Sequence, residues 1–378
     1  MSTPTTPRFD LGAILQYTAD AGASDLHVVA GLPPGVRVHG ALHPIPGHPV
    51  VGQDELYEAL LAILTPNQRK AFAETLEMDF SHQIGPETAF RANLFWQKNT
   101  IGGAFRVIPR TIKTLEQLGI PTSLRGLAGL PRGLVLVCGP TGSGKSTTLA
   151  ALIDIANKTR TDHIITIEDP IEFLHSSNRC VVVQREVGVD THSFAAALKH
   201  ALRQDPDIIL VGEMRDKETM EIALRAAETG HLVFATIHTQ DTGSSINRII
   251  DEFPATQQDQ IRTQLAGAIR GVVSQTLCPT VDGKGRVVAT EIMLATPAVK
   301  TLIRDNRLHQ LYSTIHSAKD DGMHTLDQSL AELVRNHEIT YEVGLERARQ
   351  VDEYNKLCGR SARMDQGVAA IEHAQVMH

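Results

Sequence analysis

The chain has 378 residues, more than one typical hydrophobic core accommodates, and so predicts two domains. With 42% hydrophobic and 21% charged residues it has the make-up of an ordinary globular protein, which excludes wholesale disorder. A formal net charge of -7 argues against nucleic acid as the principal partner, because phosphate binding generally needs a net basic face.

From Phe9, "FDLGAILQYTADAGA" has helical apolar spacing, and "SDLHVVAGLPPGVRVHGALHPI" predicts two short strands around a Gly-Pro-Pro turn. "DELYEALLAIL" restores helical spacing from Asp54, and residues 88–108 predict a hairpin turned at Gly102-Gly103. Helices and antiparallel strands in this order predict a small α+β domain over 1–110, followed by a Pro- and Gly-rich linker over 111–131. The pattern then changes. "GLVLVCG", "HIITIED", "DIILVGE" and "HLVFATIH" are apolar runs alternating with helical segments, which predicts an α/β domain over 132–355 built on a parallel sheet covered on both faces. Within it the stretch from about 290 to 355 reads as helices, and 356–378 lacks a clear folding signal and reads as a mobile tail.

Cys138, Cys180, Cys278 and Cys358 are dispersed, with no C-x-x-C pair, and fit reduced thiols. No stretch approaches the roughly 18 to 20 apolar residues of a membrane span, and the N-terminus lacks the basic-then-apolar order of a secretory signal. A cytoplasmic location is expected.

"GPTGSGKST" spans Gly139, Pro140, Thr141, Gly142, Ser143, Gly144, Lys145, Ser146 and Thr147, and follows an apolar run directly. It fits G-x-x-x-x-G-K-[ST], the phosphate loop in which glycines let the backbone wrap an anion and amides at the next helix start point at it. Lys145 is then expected on the terminal phosphates of ATP and the Ser146 hydroxyl on Mg²⁺. Hydrolysis also needs a metal shell and a group that orients or deprotonates water. Two strand ends offer acids: Glu168, Asp169 and Glu172 in "ITIEDPIEFLH", and Glu213 in "DPDIILVGEMRD", where many phosphate-loop proteins carry an acid serving the Mg²⁺ shell. Acids at strand ends are individually more often solvated loop residues, so the weight rests on their falling in one nucleotide domain.

"GHLVFATIHT" brackets an apolar strand with His231 and His238. Seven residues at about 3.3 Å each would separate the two by roughly 23 Å on opposite faces, so they cannot share a metal within one subunit. His238 falls at the strand end expected to carry the phosphate loop and is the better candidate for a phosphate contact, whereas His231 follows Gly230, a helix stop. "AIRGVVSQTL", residues 268–277, contains none of the groups ATP chemistry requires. On a helix, Ala268, Ile269, Val272 and Val273 would form a stripe that is either core or a surface for a partner.

The ordered set "GPTGSGKST", "ITIEDPIEFLH", "RQDPDIILVGEMRD", "TGHLVFATIHT" and "AIRGVVSQ" resembles the secretion and type IV pilus ATPase superfamily, and within it the PilT-type retraction motors. The resemblance extends from "GASDLHV" to "GMHTLDQSLAELV". It implies a homohexamer of subunits with a PAS-like N-terminal domain and a RecA-like ATPase domain, hydrolysing Mg-ATP to drive pilus retraction. Peripheral association with an inner-membrane platform protein and a second retraction ATPase as a further partner follow from the same resemblance. It further implies Glu172 as the water-activating carboxylate, Glu213 as the acid near Mg²⁺, His238 as a γ-phosphate or interface contact, and Arg91 and Arg106 as groups reaching a neighbouring nucleotide. Relatives often carry another arginine between these two, where this chain reads "WQKNTIGG", leaving Arg110 as a weak substitute. Finally, it tips the reading of 268–277 towards coupling the ATPase cycle to the pilus machinery. The alternatives within the superfamily are an assembly or secretion ATPase, or a weakly active ATP-binding partner of another motor. Dispersed cysteines disfavour the former and the intact Lys145, Glu172 and Glu213 set the latter.

Overall fold

A computed structural model describes residues 9–38, 40–85, 88–109 and 111–360; Arg110 and the segment 361–378 lie outside the described residues. The chain forms two compact units. The first comprises the described residues up to Thr111 together with 168–174 and 185–192, and the second the remainder.

In the first unit, α1 (Leu11–Asp20) starts where the Asp10 carboxylate accepts from the Ala13 amide. It is followed by β1 (Asp25–Val29), β2 (Gly35–Val38), β3 (Ala41–Pro44), α2 (Gln53–Ala62), α3 (Pro66–Thr75), β4 (Glu77–Ile84), β5 (Thr88–Gln97) and β6 (Thr100–Val107). The strands form one sheet in the order β3-β2-β1-β6-β5-β4 with antiparallel pairing. Leu15, Leu26, Leu56, Leu60, Phe90, Leu94 and Phe105 are fully buried in its core.

The hairpin of β5 and β6 does not turn at the glycine pair. Lys98 and Asn99 turn it, with φ of 47° and 62°, the left-handed pair that matches strand twist in a two-residue loop. Gly102 lies inside β6, opposite Phe95, where a Cβ would meet that ring at 2.8 Å. Its glycine is needed for packing.

The second unit contains α4 (Arg125–Ala128), β7 (Gly133–Cys138), α5 (Lys145–Thr159), β8 (His163–Glu168) except its last residue, β9 (Val181–Glu186) except Arg185 and Glu186, α6 (Phe194–Ala201), β10 (Ile208–Val211), α7 (Lys217–Thr229), β11 (Leu232–Ile237), α8 (Thr242–Asp251), α9 (Ala255–Ala268), β12 (Ile269–Pro279) and β13 (Arg286–Leu294). The helices α10 (Pro297–Arg304), α11 (Leu311–Ser317), α12 (Leu326–Arg335), α13 (Tyr341–Leu345) and α14 (Val351–Leu357) complete it. The sheet order is β13-β12-β7-β11-β10-β8-β9. Strands β12, β7, β11, β10 and β8 run parallel and β13 antiparallel to β12, so the sheet is mixed at that edge.

Three further expectations need correction. The segment 111–131 is not a free linker: Leu115, Ile120, Leu124 and Leu127 are buried in the core of the second unit. Of residues 268–277 only Ala268, the end of α9, is helical; 269–277 lie in the strand β12, between β7 and β13, with Ile269, Val272 and Val273 wholly buried. A strand covered on both faces is apolar throughout, so no period separates it from a buried helix. The region from 290 begins with the end of β13, and α14 runs to Leu357, two residues into the stretch read as a tail.

The C-terminal helices are fastened by buried ionic groups. Glu291 on β13, 2% exposed, accepts from the amide and hydroxyl of Thr242 and from Arg349. Arg349 also donates to the Gln240 carbonyl. Its own amide is held by Asp327, a buried acid that further accepts from the Gln350 amide and the Tyr312 hydroxyl.

Candidate active site

Because β7, β11, β10 and β8 are parallel, their C-terminal ends meet at one edge of the sheet, where ligands bind in open α/β folds. At the end of β7 the chain enters the glycine loop, and Gly144 caps the N-terminus of α5. Gly139 has a φ of 141°, and a Cβ there would lie 2.3 Å from the Gln275 carbonyl oxygen. No other residue fits. Lys145, 8% exposed, folds back so that Nζ donates to the carbonyls of Gly139 at 2.9 Å and Pro140 at 3.1 Å. The Ser143 hydroxyl is buried with no hydrogen-bond partner among the described residues, a polar group left available for an anion in the loop.

The loop is braced from β12. Gln275, 2% exposed, donates from Nε2 to the Ser143 carbonyl at 2.7 Å and accepts at Oε1 from the Thr148 hydroxyl at 2.9 Å. The preceding residue, Ser274, donates to the Gln240 carbonyl at 2.8 Å, two residues past His238. A segment read as free of groups for ATP chemistry thus touches both the phosphate loop and the loop carrying His238. Its spacing gave no sign of this, because the contacts depend on β12 lying beside β7.

Glu213 follows β10. Its carboxylate pairs with Arg215 Nη2 at 2.6 Å and His238 Nε2 at 3.2 Å. Burial raises this carboxyl, but the hydrogen bond from Arg215 and the charge of His238 outweigh it and hold the group below the usual carboxylate range. An acid kept ionised is what a hard divalent cation requires. His238 therefore meets Glu213 directly. His231 has a different place: its Nδ1 lies 3.0 Å from the Ala226 carbonyl in the last turn of α7, where it helps satisfy the helix end. Arg215, two residues past the expected acid, was missed by the sequence reading.

A cavity of about 560 Å³ opens beside Gly144, Thr147 and Thr148, walled by Leu118, Ile120, Leu277 and Val288. Lys113, Lys284 and Arg286 also line it. Apolar walls with basic groups beside a phosphate loop suit a nucleoside with its phosphates.

The first unit carries the other expected residues. Strand register sets Arg91 opposite Arg106, Arg106 opposite Asp25, and Asp25 opposite Arg37. One face of β5, β6, β1 and β2 thus presents a row of three arginines and one acid. Asp25 pairs with Arg106 Nε at 2.7 Å and lies 4.0 Å from Arg37 Nε. Burial raises the Asp25 carboxyl, and the bonds from Arg106 and Ser24 bring it below its ordinary value. Arg37 is a third arginine on this face, which the sequence reading did not single out. Two guanidinium groups directly opposed across strands repel unless an anion lies near, and one acid does not neutralise the row.

Glu172 is exposed, on the segment 168–174 that packs with this first unit. The fastening is Glu186, 1% exposed, whose carboxylate accepts from the Ile171 amide at 3.1 Å and the Ser81 amide at 2.8 Å. Ser81 stands opposite Arg91, so one buried acid ties the Glu172 loop to the strand beside the arginine row. Glu168, at the end of β8, is half-buried and Asp169 exposed.

Among the described residues no helix is long and apolar enough to cross a membrane, and no three His, Cys, Asp or Glu side chains cluster as a metal site. The type II/IV secretion system protein family matches residues 121–342. The chain is 48% identical over 340 residues to the type IV pilus retraction ATPase PilT of Pseudomonas aeruginosa, covering 90% of this chain and 98% of the relative. It is 46% identical over 321 residues to a twitching motility protein of Neisseria gonorrhoeae, covering 85% and 86%. A crystal structure of the pilus retraction motor PilT with bound ADP superposes with a TM-score of 0.84 at 42% identity, covering 91% of this chain and 98% of that one. The chain belongs to the type II/IV secretion system protein family and, within it, to the PilT-type ATPases.

Proposed function

We propose that this ATPase is the Mg-ATP-driven motor of type IV pilus retraction, working as a homohexamer on the cytoplasmic face of the inner-membrane pilus machinery. The observation that carries the reading is one sheet edge bearing the braced phosphate loop, Lys145 and the ionised Glu213. Lys145 would exchange its loop carbonyls for the terminal phosphates, and the cavity beside Thr147 would take the nucleoside. Ser146 and Glu213 supply the hard oxygen donors that suit Mg²⁺. Bound there, the ion would neutralise charge building between the β- and γ-phosphates.

Glu172 is the carboxylate proposed to take the proton from the attacking water, and Arg91 and Arg106 are proposed to reach the phosphates of a neighbouring subunit. His238 would report on the γ-phosphate through Glu213, to which it is bonded. The platform protein and a second retraction ATPase are the proposed partners. Deleting the gene and counting surface pili tests the reading. Excess, non-retracting pili are expected, whereas bald cells would point to an assembly ATPase.

A further inference from the structure

We propose that Gln275 is a positioning residue that sets the phosphate loop for nucleotide. The proposal rests on the reading of residues 139–147 as the nucleotide site. Gln275 grips both ends of the loop's functional part: its amide nitrogen holds the Ser143 carbonyl, and its amide oxygen receives the Thr148 hydroxyl on the first turn of α5. The assignment of the two amide atoms is fixed by chemistry, since a carbonyl only accepts and an NH₂ must face it. The Gln275 backbone oxygen closes the third side, against Gly139.

The consequence concerns peptide direction. A phosphate loop binds anions through amides that point inward. The carbonyl of Ser143 belongs to the peptide whose N–H is that of Gly144, and holding this oxygen on β12 turns that N–H the opposite way, away from Gln275. Gln275 does this from a strand paired on both sides, between β7 and β13, with its side chain buried, so the loop is held before nucleotide arrives. Binding then loses less conformational freedom, which is how a fixed site gains affinity.

Substitutions at Gln275 separate this from simple packing. Gln275→Glu keeps the shape but, when ionised, sets an acceptor against the Ser143 carbonyl; when protonated, the carboxyl again donates. Affinity for a fluorescent Mg-ADP analogue is measured in purified rings from about pH 8 to about pH 5, relative to wild type at each pH. The expected result is a loss of about tenfold at the alkaline end that narrows towards wild type as pH falls. Gln275→Met, of similar length but unable to make either bond, should lose affinity at every pH and raise the KM for ATP more than it lowers kcat. Lys145→Ala is the reference for the site itself. If Lys145→Ala loses nucleotide and both Gln275 variants bind as wild type, the positioning role is wrong while the site stands. A constant deficit in Gln275→Glu across pH, with a lowered Tm, would likewise overturn positioning in favour of packing alone. Undiminished binding by Lys145→Ala would instead overturn the site. Should Gln275→Glu fail to fold, Gln275→Met alone decides: a KM change favours positioning, and equal KM overturns it.

Discussion

The phosphate loop and the arginine row both suit an anion, yet they are built in opposite ways. The loop is buried and held from behind by Gln275, with Lys145 folded onto its carbonyls. The row lies on one face of an antiparallel sheet with the Arg106 side chain 71% exposed, and of its three arginines only Arg106 makes a close bond to the single acid. The first construction suits a ligand held within one chain. The second offers charge outward, as a group supplied to another subunit must, because an arginine acting in trans has to leave its own fold to reach a phosphoryl group. Glu172 shares the second construction, being exposed on a loop whose base is buried through Glu186.

Four predictions sharpen this contrast. Glu172→Gln should slow hydrolysis about a thousandfold, since the amide keeps the shape and loses the base, while bound ATP persists. Normal turnover in that variant, with loss in Glu168→Gln, would place the base on the neighbouring acid. Lys145→Ala should weaken nucleotide binding roughly a hundredfold by removing a charge-assisted contact to phosphate, read by titration with labelled ADP.

Polar substitution of Ile269 tests the correction to β12. The side chain is fully buried, so Ile269→Asn should cost on the order of 3 kcal/mol through lost packing and an unpaired amide. Melting temperature and ATPase rate should then fall in step; retraction lost with both unchanged would restore a coupling role for this segment. The smallest effect belongs to Asp25. Its carboxyl is lowered in the folded chain, so its stabilisation is complete above the unfolded value and is lost as pH falls through the folded one. Asp25→Asn should therefore melt slightly below wild type near neutrality, with the difference fading below about pH 4. A gap that stays constant down to acid pH would assign Asp25 a purely geometric role.

What the sequence made legible follows the same division. The phosphate loop is a contiguous nine-residue chemistry after an apolar strand, and Glu213 and His238 sit at the ends of two recognisable strands, so each could be placed without knowing the sheet order. Arg37 could not, because it joins Arg106 only through the register of β2, β1 and β6. Gln275 was hidden for a related reason: β12 returns beside β7 after more than 120 residues of chain, and its apolar run has no distinguishing period. Gly102-Gly103 misled in the opposite sense, since glycine also serves close packing and the turn fell to Lys98 and Asn99. The tie from Glu186 to Ser81 and Ile171 is likewise a tertiary fact that no local pattern announces.

Mixing subunits tests the central contrast most directly. Rings assembled from Arg106→Ala and Lys145→Ala chains, verified as mixed, contain faces where an intact phosphate loop meets an intact arginine row from the other variant. If the loop acts within its own chain and the row acts on its neighbour, ATP hydrolysis should recover to a measurable fraction of wild type although each variant alone is inactive. Mixed rings as inactive as either parent would contradict the account and assign Arg106 to its own subunit.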